Sequence, residues 1–230
     1  MPFSLRFWLV ALVLLIVPVP ALAQIAPSAA EIAAYRGLHA AAAKGDTGEI
    51  EKLVKAGAPL EARDGHQRTP LHVAAHLKRN EAAVLLMKLG ADANALDAQK
   101  YDIVTIAAVA DDVPMLKIAL AGGCKASNVT SPWDGTALIA AAHLGHDEVV
   151  RVLISSKAPL DHVNTLHWTA LIESIVLGNG GKRHTASLEA LVKAGANLTL
   201  ADREGNTPLK LARGRGYTDM VAILEKAGAR

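Results

Sequence analysis

The residues able to do chemistry in this chain are few: nine histidines, one cysteine and scattered carboxylates, in no pattern that assembles a catalytic set. His72 and His76 stand four apart, a spacing that turns two imidazoles toward one metal ion on a helix face, but no neighbouring carboxylate or third histidine completes a zinc set. Neither metal nor cofactor is expected. Acyl or phosphoryl transfer has no signature either, since there is no G-x-S-x-G elbow, no H-E-x-x-H and no glycine loop ending in Lys-Ser or Lys-Thr. The nearest approach, Gly178-Asn179-Gly180-Gly181-Lys182-Arg183-His184, lacks both the preceding strand and the hydroxyl residue after Lys182. It reads as a flexible, solvated loop, with an anion site or dedicated contact through Lys182 and Arg183 as the alternative. The single Cys124 can close no intramolecular disulfide and reads as a small buried apolar residue. An enzyme is not expected.

The elements that position these residues come from an internal repeat. Thr69-Pro70-Leu71-His72-Val73-Ala74-Ala75 recurs in weaker forms around the apolar anchors Leu38, Leu71, Val104, Leu138, Leu171 and Leu209, spaced by 33, 33, 34, 33 and 38 residues. A second block keeps step: Leu53, Leu86, Ala119, Leu153 and Leu224 lie fifteen residues after their anchors, and Leu191 twenty after its own. Each is followed by Gly57-Ala58, Gly90-Ala91, Gly123-Cys124, Lys157-Ala158, Gly195-Ala196 or Gly228-Ala229. Alanines beyond each anchor let a first helix pack closely, the second block gives a second helix its buried stripe, and glycine supplies the left-handed stop.

This pattern resembles the ankyrin repeat, which carries T-P-L-H-x-A at a 33-residue period. The resemblance implies an all-α repeat solenoid of about six stacked helix-turn-helix units with extended hairpin links. The units fall near 35–67, 68–100, 101–132, 133–165, 166–203 and 204–230, after a lead-in at 24–34. His39, His72 and His146 then belong to turn-stabilising positions. The third unit lacks Thr-Pro and His, so Asp102 is expected to cap its first helix, and this unit is expected to be the least regular interior one. Pro114 falls where its second helix should begin. Lys78 and Asp111 occupy the inter-helix site that is Gly45, Gly145 and Gly216 elsewhere, which should strain the backbone.

The resemblance also implies a concave, partner-binding groove made by the turns and the exposed side of each first helix. By phase its columns lie three, five and six residues before each anchor and five and six after. Of the five aromatic residues beyond residue 23, four fall on these columns: Tyr35, Tyr101, Trp133 and Trp168, with Tyr217 outside them. The expected partner-binding set is Tyr35, His66, Arg68, His76, Tyr101, Trp133, His143 and Trp168. Rings that merely pack on adjacent turns are the competing reading. Glu173 sits two residues past its anchor, where other units carry Ala40, Val73, Ile106, Ala140 and Leu211, so a carboxylate faces a packed layer. It either pairs with Arg183 or His184 and fixes the expansion, or serves as a functional acid in a small pocket.

Arg6, the apolar run Phe7 to Val17, and Ala21-Leu22-Ala23 have the layout of a secretory signal peptide cleaved after Ala23. A periplasmic or secreted protein without membrane insertion after cleavage is expected, in which Asn128-Val129-Thr130 and Asn197-Leu198-Thr199 match the glycosylation pattern by chance. With a formal net charge of +2 and no basic run, nucleic acid is not an expected partner. The leading function is a protein-protein interaction scaffold, as a monomer with a protein partner. An immunity or protective factor for one specific enzyme, and a small-molecule or metal binder, stand as alternatives.

Overall fold

The computed structural model describes residues 24–230. The leader and its cleavage site after Ala23 lie outside the described residues. A short helix α1 (Ala29–Ala34) precedes six helix pairs: α2 (Gly37–Lys44) with α3 (Thr47–Lys55), α4 (Pro70–His76) with α5 (Asn80–Lys88), and α6 (Ile103–Val109) with α7 (Val113–Ala121). Then follow α8 (Ala137–Leu144) with α9 (Asp147–Ser155), α10 (Ala170–Val176) with α11 (Lys182–Lys193), and α12 (Pro208–Gly214) with α13 (Thr218–Lys226). Between the third and fourth pairs a two-stranded antiparallel ladder, β1 (Val129–Thr130) and β2 (Gly135–Thr136), pairs Val129 with Thr136 and Thr130 with Gly135.

The anchors form the core as their spacing requires: Leu38, Leu71, Val104, Leu138, Leu171 and Leu209 are all buried. Leu86, Ala119, Leu153, Leu191 and Leu224 meet them from the second helices, and alanines fill the space between. Five of the six first helices start on a capping side chain, α2 with Arg36 at its start being the exception. Thr69, Thr136, Thr169 and Thr207 accept from the backbone N–H three residues on, and Asp102 does the same toward Thr105 in the unit without threonine. Second helices begin differently. Asp46 and Asp112 cap their own helices, whereas Arg79, His146, His184 and Tyr217 reach back to a carbonyl of the preceding unit, at Ala43, Ala108, His143 and Gly178 respectively. These bonds stitch neighbouring units together on the rim where the helix pairs turn.

Two expectations about irregularity are corrected. The third unit is as regular as its neighbours, with helices of seven and nine residues like those of the second, because Asp102 replaces the missing cap and Pro114 sits in the first turn of α7. The expansion of the fifth unit is an ordered turn, not a flexible loop. Only residues 177–181 lie between α10 and α11; Lys182, Arg183 and His184 form the first turn of α11, which runs to 12 residues against nine in the other second helices. Tyr217 seats this turn, and a Cβ on Gly180 would come within 2.5 Å of its ring. Lys78 and Asp111 do adopt left-handed backbone, with φ of 55° and 52°, as the glycine column demands.

Candidate functional site

A conserved geometry recurs at the tip of every hairpin link, seven residues before the anchor. Asp64 and Asp97 each accept two backbone N–H bonds through Oδ1, Ser131 does so through its hydroxyl, and Asp202 repeats the aspartate form. In the fifth unit the residue is Asn164, whose Oδ1 accepts from Leu166 and Trp168 at 3.0 Å each. An amide leaves a donor free. Its Nδ2 donates to Glu173 Oε1 at 2.9 Å, which an aspartate at that place could not do. Two departures from the repeat, Asn for Asp and Glu for an apolar residue, therefore answer each other.

Glu173 is 3% exposed. Its second oxygen, Oε2, is buried and accepts no hydrogen bond among the described residues, although His143 Nδ1 stands 3.4 Å away. Burial drives the carboxyl up to about 7 against the Asn164 bond, which acts in the other direction. Burial, and then His184, lower the pKa of His143. The expected partnership of Glu173 with Arg183 or His184 is not what the structure shows. Arg183 turns away to Asp111 Oδ2 at 2.8 Å and Asp147 Oδ1 at 3.0 Å, and His184 is held on the His143 carbonyl at 2.9 Å. Lys182 lies exposed beside them at the start of α11.

Glu173 and His143 line a cleft of about 360 Å³ formed by the hairpin links and first helices of units three to five. Tyr101, Trp133 and Trp168 share it, with Val109, Ile139, Leu144, Leu166 and Leu177 on its walls and Gln24 of the lead-in, its Nε2 buried, also in the lining. Trp133 is 40% exposed. Seven large apolar side chains are exposed among the described residues, and three of them, Trp133, Leu144 and Leu177, gather here. Trp133 is fixed by its backbone, whose carbonyl accepts from the Thr165 N–H and hydroxyl, both at 3.0 Å.

The sequence-predicted set thus splits in two. Tyr101, Trp133, His143 and Trp168 come together in the cleft, Tyr101 almost wholly buried in its floor. Tyr35, His66 and Arg68 form a separate network at the N-terminal end. There the structure corrects the expectation of an exposed Arg68: its side chain is enclosed, donating to Asp64 Oδ2 at 2.7 Å and to the Ile25 carbonyl at 3.0 Å, and pairing with Glu31. Tyr35 donates to Asp64 Oδ2 at 2.7 Å, and His66 Nε2 lies 3.4 Å from Glu31 Oε1. His76 sits near this network with Nε2 buried and without a hydrogen-bond partner among the described residues, its pKa held down at about 4, chiefly by burial. His39 and His72 bond the carbonyls of Arg68 and Tyr101 in the next link, at 2.9 and 3.1 Å, which is turn stabilisation.

The helix pairs, hairpin tips and left-handed stops on this period match one family model. A model of ankyrin repeats, three copies, covers residues 23–97 and 104–202. The chain belongs to the ankyrin-repeat family. It is 30% identical to the putative ankyrin repeat protein YahD of Escherichia coli K12 over 190 residues, spanning 82% of this chain and 94% of the relative. Among solved structures, an ankyrin repeat domain from Acinetobacter baumannii AYE superposes with a TM-score of 0.79 at 40% identity, covering 84% of this chain and 98% of that one. The ankyrin repeat protein EF0377 gives 0.77 at 28% identity, with the same coverage of each chain. Ankyrin-repeat domains act as protein-protein interaction scaffolds, and no helix among the described residues is long and apolar enough to cross a membrane. Asn164 is the site residue that sequence reasoning missed. Its signal was present in the chain, as the one amide in an otherwise Asp or Ser column.

Proposed function

We propose that this ankyrin-repeat chain is an exported scaffold that binds a protein partner on the concave side of units three to five. The cleft carries the reading. Exposed Trp133, Leu144 and Leu177 around an aromatic floor place apolar area in water on a surface otherwise built of polar turns. Aromatic side chains held by rigid backbone are the usual anchors of such interfaces. The layout of Arg6 to Ala23 supports export to the periplasm or beyond.

The test pairs two variants. Trp133→Ala with Trp168→Ala is expected to abolish capture of the partner from the native periplasmic or secreted fraction while the helical spectrum is kept. Val84→Ala, in the separate groove between second helices lined by Asn80, Leu85 and Ile118, is expected to leave capture intact. Equal loss from both, or from neither, sinks the concave-face reading. Export is checked independently by the intact mass of the protein recovered outside the cytoplasm, which should begin at Gln24.

A further inference from the structure

Deepening the reading above, and resting on it for the location of the site, we propose that the cleft receives an alkylammonium group whose charge meets Glu173 and whose apolar stem lies along Trp133 and Trp168. The first support is the orphaned Glu173 Oε2, buried in the cleft wall without a hydrogen bond while Oε1 is already held by Asn164. A buried acceptor left open is expensive unless something donates to it. The second support is the lining. Among the described residues no lysine or arginine side chain contributes to it, and its titratable side chains are Glu173, His143 and Tyr101; cleavage after Ala23 would add the α-amino group of Gln24, which also belongs to the lining. An anion would meet a carboxylate and no lysine or arginine side chain, whereas a cation meets its counter-charge and two indole rings, whose faces attract ammonium groups.

The occupied Oε1 decides between the cations. A guanidinium fork is matched by two open carboxylate oxygens, but only one is open, and a single acceptor suits the compact point charge of an ammonium. His143 stands where the ammonium would enter, 3.4 Å from Oε2. Its ring makes no other ion pair or ring hydrogen bond among the described residues, so it can swing aside toward solvent. The same chemistry is offered by a lysine side chain of a bound protein and by a free amine.

Trp133 and Trp168 are the two tryptophans beyond the leader, so intrinsic fluorescence of the processed chain reports on the cleft directly. The expected result is saturable quenching or shift by n-butylammonium chloride or by an N-acetyl, C-amide lysine peptide at about pH 8, where the carboxyl is ionised. Glu173→Gln should weaken it at least tenfold, and His143→Ala should leave it unchanged or tighter. n-Butanol and n-butylguanidinium are the controls for charge and for fork geometry, and should bind at least tenfold more weakly. Saturation by both amines, or by butylammonium alone, identifies a free amine as sufficient; saturation by the peptide alone identifies a protein-borne lysine. No saturation by either amine, equal response to butanol, or binding indifferent to Glu173→Gln overturns the proposal. In that event loss of partner capture by the double tryptophan variant would still stand, so the two readings fail separately.

Discussion

At the residue scale, Glu173 makes the fold sensitive to pH in the direction opposite to most acids. Its folded pKa of about 7 lies above the ordinary 4.5, so the folded state holds a proton that the unfolded state releases. Stability from this group is complete below about pH 4.5, falls as pH rises to about 7, and stays lost above it, a difference on the order of 3 kcal/mol. Glu173→Gln keeps the neutral shape, accepts from Asn164 through Oε1, and cannot ionise. It should therefore stabilise the chain by about 2–3 kcal/mol at pH 8 and change it little at about pH 5. Urea unfolding at the two pH values checks this; an equal effect at both would show that Glu173 is not the titrating group. The companion change, Asn164→Asp, keeps the Oδ1 bonds to Leu166 and Trp168 but sets two carboxyls against each other in a buried place. It should destabilise by about 2–4 kcal/mol near neutral pH, and less in acid, read by the same measurement. Sequence showed that Glu173 was out of place, since its column is otherwise apolar. It could not show the partner, because Asn164 precedes Glu173 in a different structural element and meets it only when the hairpin tip folds over the first helix.

At the element scale, recurring left-handed positions decide the turns, three in most units. Lys157 stands where five units have glycine and is held at φ 62° with its side chain in solvent. Lys157→Gly should raise stability by about 0.5–1 kcal/mol, as the relief of left-handed strain outweighs the added freedom of the unfolded chain. Gly180→Ala should do the reverse by about 2 kcal/mol or more, since φ there is 68° and the new Cβ would run into the Tyr217 ring. Thermal melts of both variants check the pair, and a destabilising Lys157→Gly would contradict the strain argument. This is also where the sequence was most and least readable. Anchors, caps and stops repeat every 33 residues or nearly so, and each is a local signal. The five added residues in unit five are not local. Whether they loop out or lengthen α11 depends on Tyr217 in the next unit, whose hydroxyl donates to the Gly178 carbonyl from 39 residues away.

At the scale of the whole molecule, the two halves of the groove do different work. The end bearing Tyr35, His66 and Arg68 is closed by the lead-in: Ser28 and Glu31 form a reciprocal cap on α1, and Glu31 then reaches the enclosed Arg68. That is a cover over the N-terminal end of the described stack, while the cleft of units three to five, with Gln24 of the lead-in in its lining, is the more open part of the face. The Ser28–Glu31 bonds, with help from Arg68, hold the Glu31 carboxyl down at about 2, so it is ionised throughout the physiological range. Glu31→Gln retains the side-chain length needed for the cap and removes the charge, leaving Arg68 with Asp64 as its one acidic partner. The expected loss is about 1–2 kcal/mol, smaller than for a wholly unpaired buried cation. In a solenoid each unit packs chiefly on its neighbours, with Arg183 to Asp111 the contact here that skips a unit at the other end of the stack, so the loss should be local. Hydrogen exchange should quicken in α2 to α5 and stay unchanged in α8 to α13. Uniform quickening along the chain would mean that the six units open together, and the division of the groove into a plugged end and a binding end would lose its energetic basis.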